Sequence, residues 1–277
     1  MASICVVTRI RNDEFFLKKF ISYYGKQLGE ENLFVYIDGF DQKINIETGK
    51  ANIISCERIL GSVVSTDRLR LKFLSRRAEE LMKKYDIVIG VDVDEFLVVD
   101  PKLNISLKDY LSNLKINTSV SGLGLDIGQH LDKEKRLTED LPFLQQRSYA
   151  LVCRKYTKPS VINRPVTWGS GFHRVLGHNF HIDPNLFLFH LGCVDMDMIM
   201  ARLKDVDRIN LGWDKHNRKR VLTIDKITRI KAKDGDKYFS IARFIQKFFR
   251  LIYAWNKPSM LGWDLVINIP ERFKNVL

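Results

Sequence analysis

The first 91 residues alternate short apolar runs with an amphipathic segment, and this order constrains the fold more than any other feature. Residues 3–8 (SICVVT) form an apolar, β-branched run that predicts a buried strand. Residues 14–28 carry an apolar stripe at helical spacing. Residues 33–37 (LFVYI) and 86–91 (DIVIGV) predict two further strands. Strands separated by helices indicate βαβ units, so the expected class is α/β, with a mostly parallel sheet flanked by helices.

Local signals give the expected helix ends. Asn12 or Asp13 could cap the first helix, and Gly29 would end it. Thr66 and Asp67 could cap a long basic helix that continues to residue 84. Further short strands are predicted at residues 53–54, 120–127, 149–154 and 186–191.

The positive charge is concentrated near the end of the sequence. The 277 residues carry a net charge of +12, and residues 202–277 contain 18 basic and 8 acidic residues, a net of +10. Such a segment suggests an anionic partner, either a membrane surface or a polyanion. Within it, residues 237–255 predict an amphipathic helix with Arg243, Lys247 and Arg250 on one face.

Cysteine use and hydropathy indicate a cytoplasmic protein. The four cysteines are widely spaced and form no C-x-x-C pair, which predicts neither a zinc knuckle nor a disulfide framework. The first residues lack the pattern of a signal peptide, and no run of 18 apolar residues predicts a membrane span.

The sequence IVIGVDVDEFLVVDP places carboxylates directly after an apolar strand. Ligands bind at the carboxyl ends of strands in open α/β sheets. In an extended backbone Asp92 and Asp94 would share one side, and Val93 would point into the core. Two such carboxylates favour a cation between them, and Mg²⁺ or Mn²⁺ combines carboxylates with substrate phosphates. The alternatives are a solvated acidic turn or a D-x-D phosphohydrolase, although Phe96 and the position of the motif disfavour the latter.

The segment VDVDEFL resembles the metal motif of GT-A glycosyltransferases, especially the family-2-like group with D-x-D-E-F. VVTRIRNDEFFLKKFISYYGKQLGEENLFVYIDGFD is similar to that group's opening strand, helix and second strand. SGLGLDIGQH resembles its acceptor-side strand, and LFLFHLGCVD its late H-L segment. The likeness spans roughly residues 3–195. It implies a GT-A transferase domain at residues 1–200, with residues 201–277 as a basic, mainly helical extension.

The resemblance implies roles for individual residues. Thr8 and Arg9 would lie near the nucleotide base and ribose, and Asp38 would contact one of these groups. Asp94 would be the main metal ligand, with Asp92 directed toward the ribose or the metal.

His190 has two interpretations that remain open. The resemblance would let it complete the metal site or touch the diphosphate, since neutral imidazole is an acceptable Mn²⁺ ligand. It could equally be a core histidine within an apolar strand.

Basic and aromatic residues offer phosphate and sugar contacts. Arg70 belongs to a basic run before the metal strand and could bind a diphosphate, although a solvated helix face is the ordinary fate of such a run. In the loop of residues 166–181, His173 and Arg174 are candidate phosphate contacts, and Trp168 could stack on a sugar. Three histidines in that loop could instead indicate zinc, which the lack of a clustered Cys or Glu disfavours.

The catalytic base is not evident from the sequence. An inverting transferase needs a carboxylate to deprotonate the acceptor hydroxyl. Asp126 is the candidate, Glu139-Asp140 is a weaker second one, and an ordinary loop aspartate is the alternative. Inverting and retaining stereochemistry both remain open.

The resemblance, together with the acidic motif, therefore implies a glycosyltransferase dependent on Mn²⁺ or Mg²⁺. Its donor would be a nucleotide-sugar, most simply a UDP-sugar, and its acceptor a saccharide or a lipid-linked sugar, as in bacterial cell-surface polysaccharide or lipopolysaccharide synthesis. It would be cytoplasmic and could lie on the inner face of the membrane. The alternative is a nucleic-acid or polyanion binder acting through the basic region, although no nucleic-acid-binding motif accompanies the charge.

Overall fold

The computed structural model describes residues 1–204, 214–250, 252–260 and 262–277. Within these ranges the chain is an α/β protein in which one large mixed sheet is flanked by helices. None of the helices in this part of the chain has the length and apolar content needed to cross a bilayer.

The strands and helices predicted for the first 91 residues are present. They are β1 (Ile4–Ile10), α1 (Glu14–Leu28), β2 (Leu33–Asp38), β3 (Asn52–Cys56), α2 (Val63–Leu81) and β4 (Ile87–Gly90). β3, β2, β1 and β4 lie side by side in parallel, which makes this side of the sheet a parallel one. Their carboxyl ends therefore meet at one edge, where a ligand site is expected.

Helix α1 begins and ends as its sequence predicts. The Asp13 side chain accepts a hydrogen bond from the Phe16 backbone N–H at 3.4 Å, and Gly29 follows the last turn with a φ of 92°. The apolar stripe, including Phe20 and Tyr24, is fully buried against the sheet. Burial of this stripe supplies most of the stability of such a helix.

Helix α2 begins earlier than predicted. Ser62 is the cap, and its side chain accepts a hydrogen bond from the Ser65 backbone N–H at 3.3 Å. The expectation that Thr66 and Asp67 cap this helix is wrong. The Asp67 carboxylate lies within the helix and accepts a hydrogen bond from Arg70 at 3.0 Å.

The remaining elements extend the sheet and cover it. They are β5 (Glu95–Val99), α3 (Leu107–Asn113), β6 (Ser119–Gly128), α4 (Phe143–Gln146), β7 (Tyr149–Val152), β8 (Val161–Ile162), β9 (Ile182–Cys193), α5 (Met196–Lys204), α6 (Asp214–Arg229), β10 (Lys233–Asp234), α7 (Gly235–Phe248) and β11 (Leu265–Asn268). The strand order is β10-β11-β7-β6-β8-β4-β1-β2-β3, and β9 pairs with both β5 and β6.

The pairing of β9 brings polar residues together inside the sheet. β9 runs antiparallel to β5, with His190 opposite Glu95, and parallel to β6, with His190 beside Asp126. All three side chains are at most 3% exposed. The sheet register therefore fixes one histidine between two carboxylate-bearing strands.

Several described residues beyond 200 belong to the same core as the rest of the sheet. β11 pairs antiparallel with β7. The rings of Phe239 and Phe273 lie 4.7 and 5.3 Å from the ring of Phe187, centroid to centroid. The division into two domains at residue 200 stays a prediction.

Helix α7 departs from the predicted amphipathic helix in length and orientation. It ends at Phe248, and Arg243 turns toward the sheet, where it donates to the carbonyl oxygens of Asp183 and Leu186 at 3.0 and 3.3 Å. The expectation that Arg243 faces an anionic partner is therefore wrong. Burial lowers the pKa of Arg243 to about 10, and the guanidinium is satisfied by backbone carbonyl oxygens of β9 rather than by an external anion.

Candidate functional site

The D-x-D motif forms the turn between β4 and β5. The Glu95 backbone N–H donates to the carbonyl oxygen of Asp92 at 3.0 Å, and the Val93 side chain is buried in the core. The motif is therefore not extended, contrary to the expectation, because the chain reverses to pair β5 with β9. Val93 does pack inward as predicted, and Asp92 and Asp94 each meet separate basic residues.

Asp92 is held by two cations. One of its oxygens accepts a hydrogen bond from Arg70, and the other lies 2.8 Å from the Lys158 ammonium. Burial raises the pKa of Asp92, but the charges of Arg70 and Lys158 outweigh it, and the pKa lies below its usual range. The structure thus brings Arg70 to the motif, while its role toward a diphosphate stays a prediction.

Lys158 also binds Glu95, which is completely buried. The ammonium lies 2.5 Å from Oε1 of Glu95. Burial raises the pKa of this carboxyl to about 7, and the Lys158 charge only partly opposes that effect. Glu95 therefore helps to hold Lys158 beside Asp92 and has no surface open to a substrate.

The loop that carries Lys158 passes directly over Gly124 of β6. A Cβ at Gly124 would lie 2.3 Å from the backbone nitrogen of Thr157, so only glycine allows this approach. The Gly124 N–H donates to the Thr157 hydroxyl at 2.9 Å. Lys158 carries no local sequence signal that marks it as a site residue. Gly122 and Gly124 stand two apart within a strand, which indicates that another backbone segment approaches the strand closely. The pattern does not show that the approaching segment carries a lysine.

His190 connects Asp94 with Asp126. Its Nδ1 lies 2.7 Å from Oδ1 of Asp126, and its Nε2 lies 3.4 Å from Oδ2 of Asp94. The Tyr156 ring stacks on the imidazole, with centroids 3.8 Å apart. Burial lowers the pKa of His190, but Asp94 and Asp126 raise it more, to about 9. Without a metal ion the imidazole is therefore protonated, with an N–H directed toward each carboxylate.

Helix α6 contributes two further contacts from one face. Nη2 of Arg220 lies 3.2 Å from Oδ2 of Asp94, and the Thr223 hydroxyl donates to Oδ2 of Asp126 at 3.2 Å. Burial raises the pKa of Asp94, yet His190 and Arg220 together hold it well below its usual range. The sequence did not single out Arg220, because it stands within a long run of basic residues that resembles a solvated surface.

The predicted metal ligands are of the right chemical type but do not converge. Asp92, Asp94 and His190 offer carboxylate oxygens and an imidazole nitrogen, a set suited to Mn²⁺ or Mg²⁺. Within the described residues, however, the group whose ligand atoms all lie within 4.8 Å of one another is Asp126, His190 and Cys193, and it contains only one of the three predicted ligands. Burial raises the pKa of the Cys193 thiol well above its usual range. Sulfur is also a soft ligand, which suits Zn²⁺ better than Mn²⁺ or Mg²⁺.

Residues predicted to bind the nucleotide lie on the neighbouring strands. Arg9 donates to Oδ1 of Asp38 at 2.5 Å and to the Glu57 carbonyl at 2.5 Å. This pair joins the ends of β1 and β2, at the same sheet edge as the D-x-D turn. Thr8 is fully buried, and its hydroxyl has no hydrogen-bond partner among the described residues. The nucleotide roles of all three stay predictions.

His173 lies beside the basic residues of the site. Its Nδ1 is 3.0 Å from the Lys155 carbonyl oxygen, and burial together with the Lys158 charge lowers its pKa to about 4. His178 and His181 are exposed. The three histidines form no metal-binding group within the described ranges, and the zinc alternative gains no support.

Comparison of the chain with protein-family models gives no match, and comparison with curated proteins gives none either. The geometry and charge of the site itself are therefore the basis for inferring a function.

Proposed function

We propose that the chain is a metal-dependent glycosyltransferase of the GT-A fold. It moves a sugar from a nucleotide-sugar, most simply a UDP-sugar, to a saccharide or lipid-linked acceptor. The D-x-D turn at the carboxyl end of β4, surrounded by Arg70, Lys158 and Arg220, supports this most strongly. A site that holds both carboxylates and cations suits a metal-bound diphosphate, since the carboxylates bind the metal and the cations bind phosphate oxygens.

The metal would be held by Asp94, with Asp92 and His190, and would supply positive charge for the departing nucleoside diphosphate. The basic side chains around the turn already pair with these carboxylates. Arg70 and Arg220 keep part of their side chains exposed and are therefore placed to exchange a carboxylate partner for a phosphate oxygen when donor binds, while the buried Lys158 holds Asp92 in position. That exchange keeps each buried charge paired, which avoids the cost of an isolated one.

Asp126 fits a positioning role better than the role of base. Both of its oxygens are engaged, one by His190 and one by Thr223, and it is only 3% exposed. A carboxylate that fixes the orientation of a metal-ligating histidine also raises its basicity. In this account Asp126 orients His190, and the base for an inverting reaction is left unassigned.

Arg9 and Asp38 form the wall next to the turn. The carboxyl ends of β1 and β2 lie beside that of β4, so a nucleotide whose diphosphate lies at Asp94 would place its base or ribose there. Asp38 can accept hydrogen bonds from hydroxyl or imide groups. Arg9 keeps this carboxylate fixed in position.

The wider setting is cell-surface saccharide synthesis on the cytoplasmic side of a bacterial membrane. Basic residues beyond 200 support the polyanion alternative less well, since several are neutralised locally. Arg272 pairs with Asp100 and Asp236, and Lys226 pairs with Asp264.

The test is a thermal-shift panel of UDP-, GDP- and CMP-sugars, each with and without Mn²⁺. The proposal expects one nucleotide class to raise the melting temperature only when Mn²⁺ is present, because metal and diphosphate bind together. Stabilisation by none of the panel would contradict the proposal. A sugar released from the stabilising donor and joined to a saccharide acceptor would then establish transfer rather than hydrolysis.

A further inference from the structure

We propose that the chain docks onto an anionic lipid bilayer through an exposed apolar surface, here called the aromatic stripe. The stripe consists of Ile241, Phe244, Phe248, Phe249, Ile252 and Trp255. The proposal goes beyond the proposed function and does not depend on it, since membrane binding is measured without any transfer reaction.

The stripe consists of large exposed side chains, three of which form a connected aromatic group. Phe248 and Phe249 are 58% and 60% exposed, and Ile252 is 95% exposed. The ring of Phe244 lies 4.9 Å from that of Phe248 and 6.3 Å from that of Phe249, centroid to centroid. Clustered apolar exposure of this kind marks an interaction surface, whereas single exposed apolar residues do not.

The opposite face of α7 is anchored, which keeps the stripe turned outward. Phe239, Ala242 and Gln246 follow helical spacing and are buried against the body of the protein. The side chains at 241, 244 and 248 repeat the same spacing on the other face. The stripe therefore cannot be buried by rotating the helix without exposing the anchored residues.

The two chain segments that carry the stripe and its border contain charge of a single sign. Residues 237–263 contain no aspartate or glutamate, and neither do residues 141–182. Lys237 and Lys247 are exposed beside the stripe. A basic border around an apolar face is complementary to anionic headgroups above acyl chains.

The loop before β9 extends this basic border. Arg250 lies over the Phe180 ring at 5.1 Å, and Arg174 donates to Asn256 at 3.1 Å. Burial lowers the pKa of Lys257, and the nearby charges of Arg174 and Arg154 lower it further. The same basic loop thus reaches from the stripe toward His173 and the candidate site.

A bilayer fits this surface better than a second copy of the chain. In a twofold dimer the same surface meets itself, and the basic border of one copy would face that of the other. Like charges brought together in this way oppose association. Anionic lipid supplies the opposite charge along with the apolar phase.

The experiment is co-sedimentation of the full chain with vesicles. Vesicles of phosphatidylglycerol and phosphatidylcholine in equal amounts are compared with phosphatidylcholine alone, at low and high salt. We expect binding to the anionic vesicles at low salt, weakened by high salt, with little binding to phosphatidylcholine alone. Full-length protein that stays in the supernatant with anionic vesicles at low salt overturns the proposal.

Two matched pairs of variants locate the contact. F248S/F249S should weaken vesicle binding at least about tenfold, since two apolar side chains are lost from the interface. The control L141S changes an apolar residue that is 50% exposed elsewhere. For charge, K237Q/K247Q should weaken binding about tenfold, whereas K18Q/K26Q, on the exposed face of α1, should not. Equal binding by F248S/F249S and L141S overturns the proposal.

Trp255 gives an independent measure of insertion. Brominated acyl chains should quench its fluorescence on vesicle binding, and the quenching should be lost in W255F. Light scattering tests the alternative that the stripe binds a second copy of the chain. A wild-type dimer that F248S/F249S converts to monomer, with no vesicle binding by either, would make the stripe a self-association surface and overturn the proposal.

Discussion

His190 donates from Nδ1 to Oδ1 of Asp126 at 2.7 Å, and the parallel register of β6 and β9 fixes the two residues side by side. The other imidazole nitrogen is thereby aimed at Asp94, 3.4 Å away. A buried aspartate thus determines which atom of the histidine faces the D-x-D turn. That arrangement is the one a metal-ligating histidine requires.

The first prediction concerns this pair. D126N should raise the Mn²⁺ concentration needed for half-maximal activity by about tenfold or more, because the orientation and basicity of His190 are lost. A Mn²⁺ titration of initial rates measures it. If Asp126 were instead the base, the variant would lose turnover at every pH with an unchanged Mn²⁺ requirement.

Lys158 should be essential for stability as well as for the site. K158M leaves Asp92 and Glu95 without their shared cation, which should lower the free energy of unfolding by about 3–5 kcal/mol. Urea denaturation measures the loss, and K155M, at an exposed neighbouring lysine, serves as the control. Adding E95Q to K158M should recover part of the lost free energy of unfolding, because it removes a buried carboxylate that has lost its cation. Equal stability of K158M and K155M would mean that this ion pair does not form.

The pH dependence of stability should carry a contribution from His173. Its pKa is about 4 in the folded chain, against an ordinary value of 6.5. The unfolded chain therefore binds the proton more readily, and stability falls as the pH drops from 6.5 toward 4. Above pH 6.5 the residue makes no such contribution. H173Q should flatten the dependence in that window, as measured by urea denaturation at several pH values, and an unchanged slope would contradict the assignment.

Gly124 should tolerate no side chain. G124A forces the loop of Thr157 and Lys158 away from β6, and overpacking of this kind costs about 1–3 kcal/mol. G25A in helix α1 is the control, because its new methyl closely approaches only the Glu30 side chain, with Cγ at 2.9 Å, and meets no backbone atom nearer than 3.9 Å. Denaturation midpoints of the two variants test the difference. Equal midpoints would show that the loop does not need this close approach.

Sequence periodicity was sufficient to predict much of the parallel half of the sheet and its first helix. The runs at β1, β2 and β4 are short and apolar, and Asp13 and Gly29 give local signals for the ends of α1 that no tertiary contact overrides. The start of α2 was misplaced because Ser62, Thr66 and Asp67 can all cap a helix. Only the surrounding chain decides among them.

The candidate site was predicted only in part, for a physical reason. Asp92 and Asp94 follow an apolar run, which local sequence makes visible. Lys158 and Arg220 come from distant segments that only the folded sheet brings to the turn, and charged residues in basic runs look the same whether buried or solvated. Arg243 is an example of an error in the opposite direction. Helical spacing predicted that its side chain faces outward, whereas it turns inward and donates to the carbonyl oxygen of Asp183.

The most direct test of the metal-dependent site is the binding of UDP by titration calorimetry, with Mn²⁺ and after chelation. Wild-type protein should bind UDP with Mn²⁺ and lose most of that affinity without it. D94N should keep its fold but lose the gain in UDP affinity that Mn²⁺ gives to wild type. The loss should exceed the roughly 10–100-fold that follows removal of a residue that only hydrogen-bonds to a metal ligand. D132N, at an exposed loop carboxylate, should behave as wild type. UDP binding that is indifferent to Mn²⁺, or equal in D94N and D132N, would contradict the assignment of Asp94 as the residue that holds metal and diphosphate together.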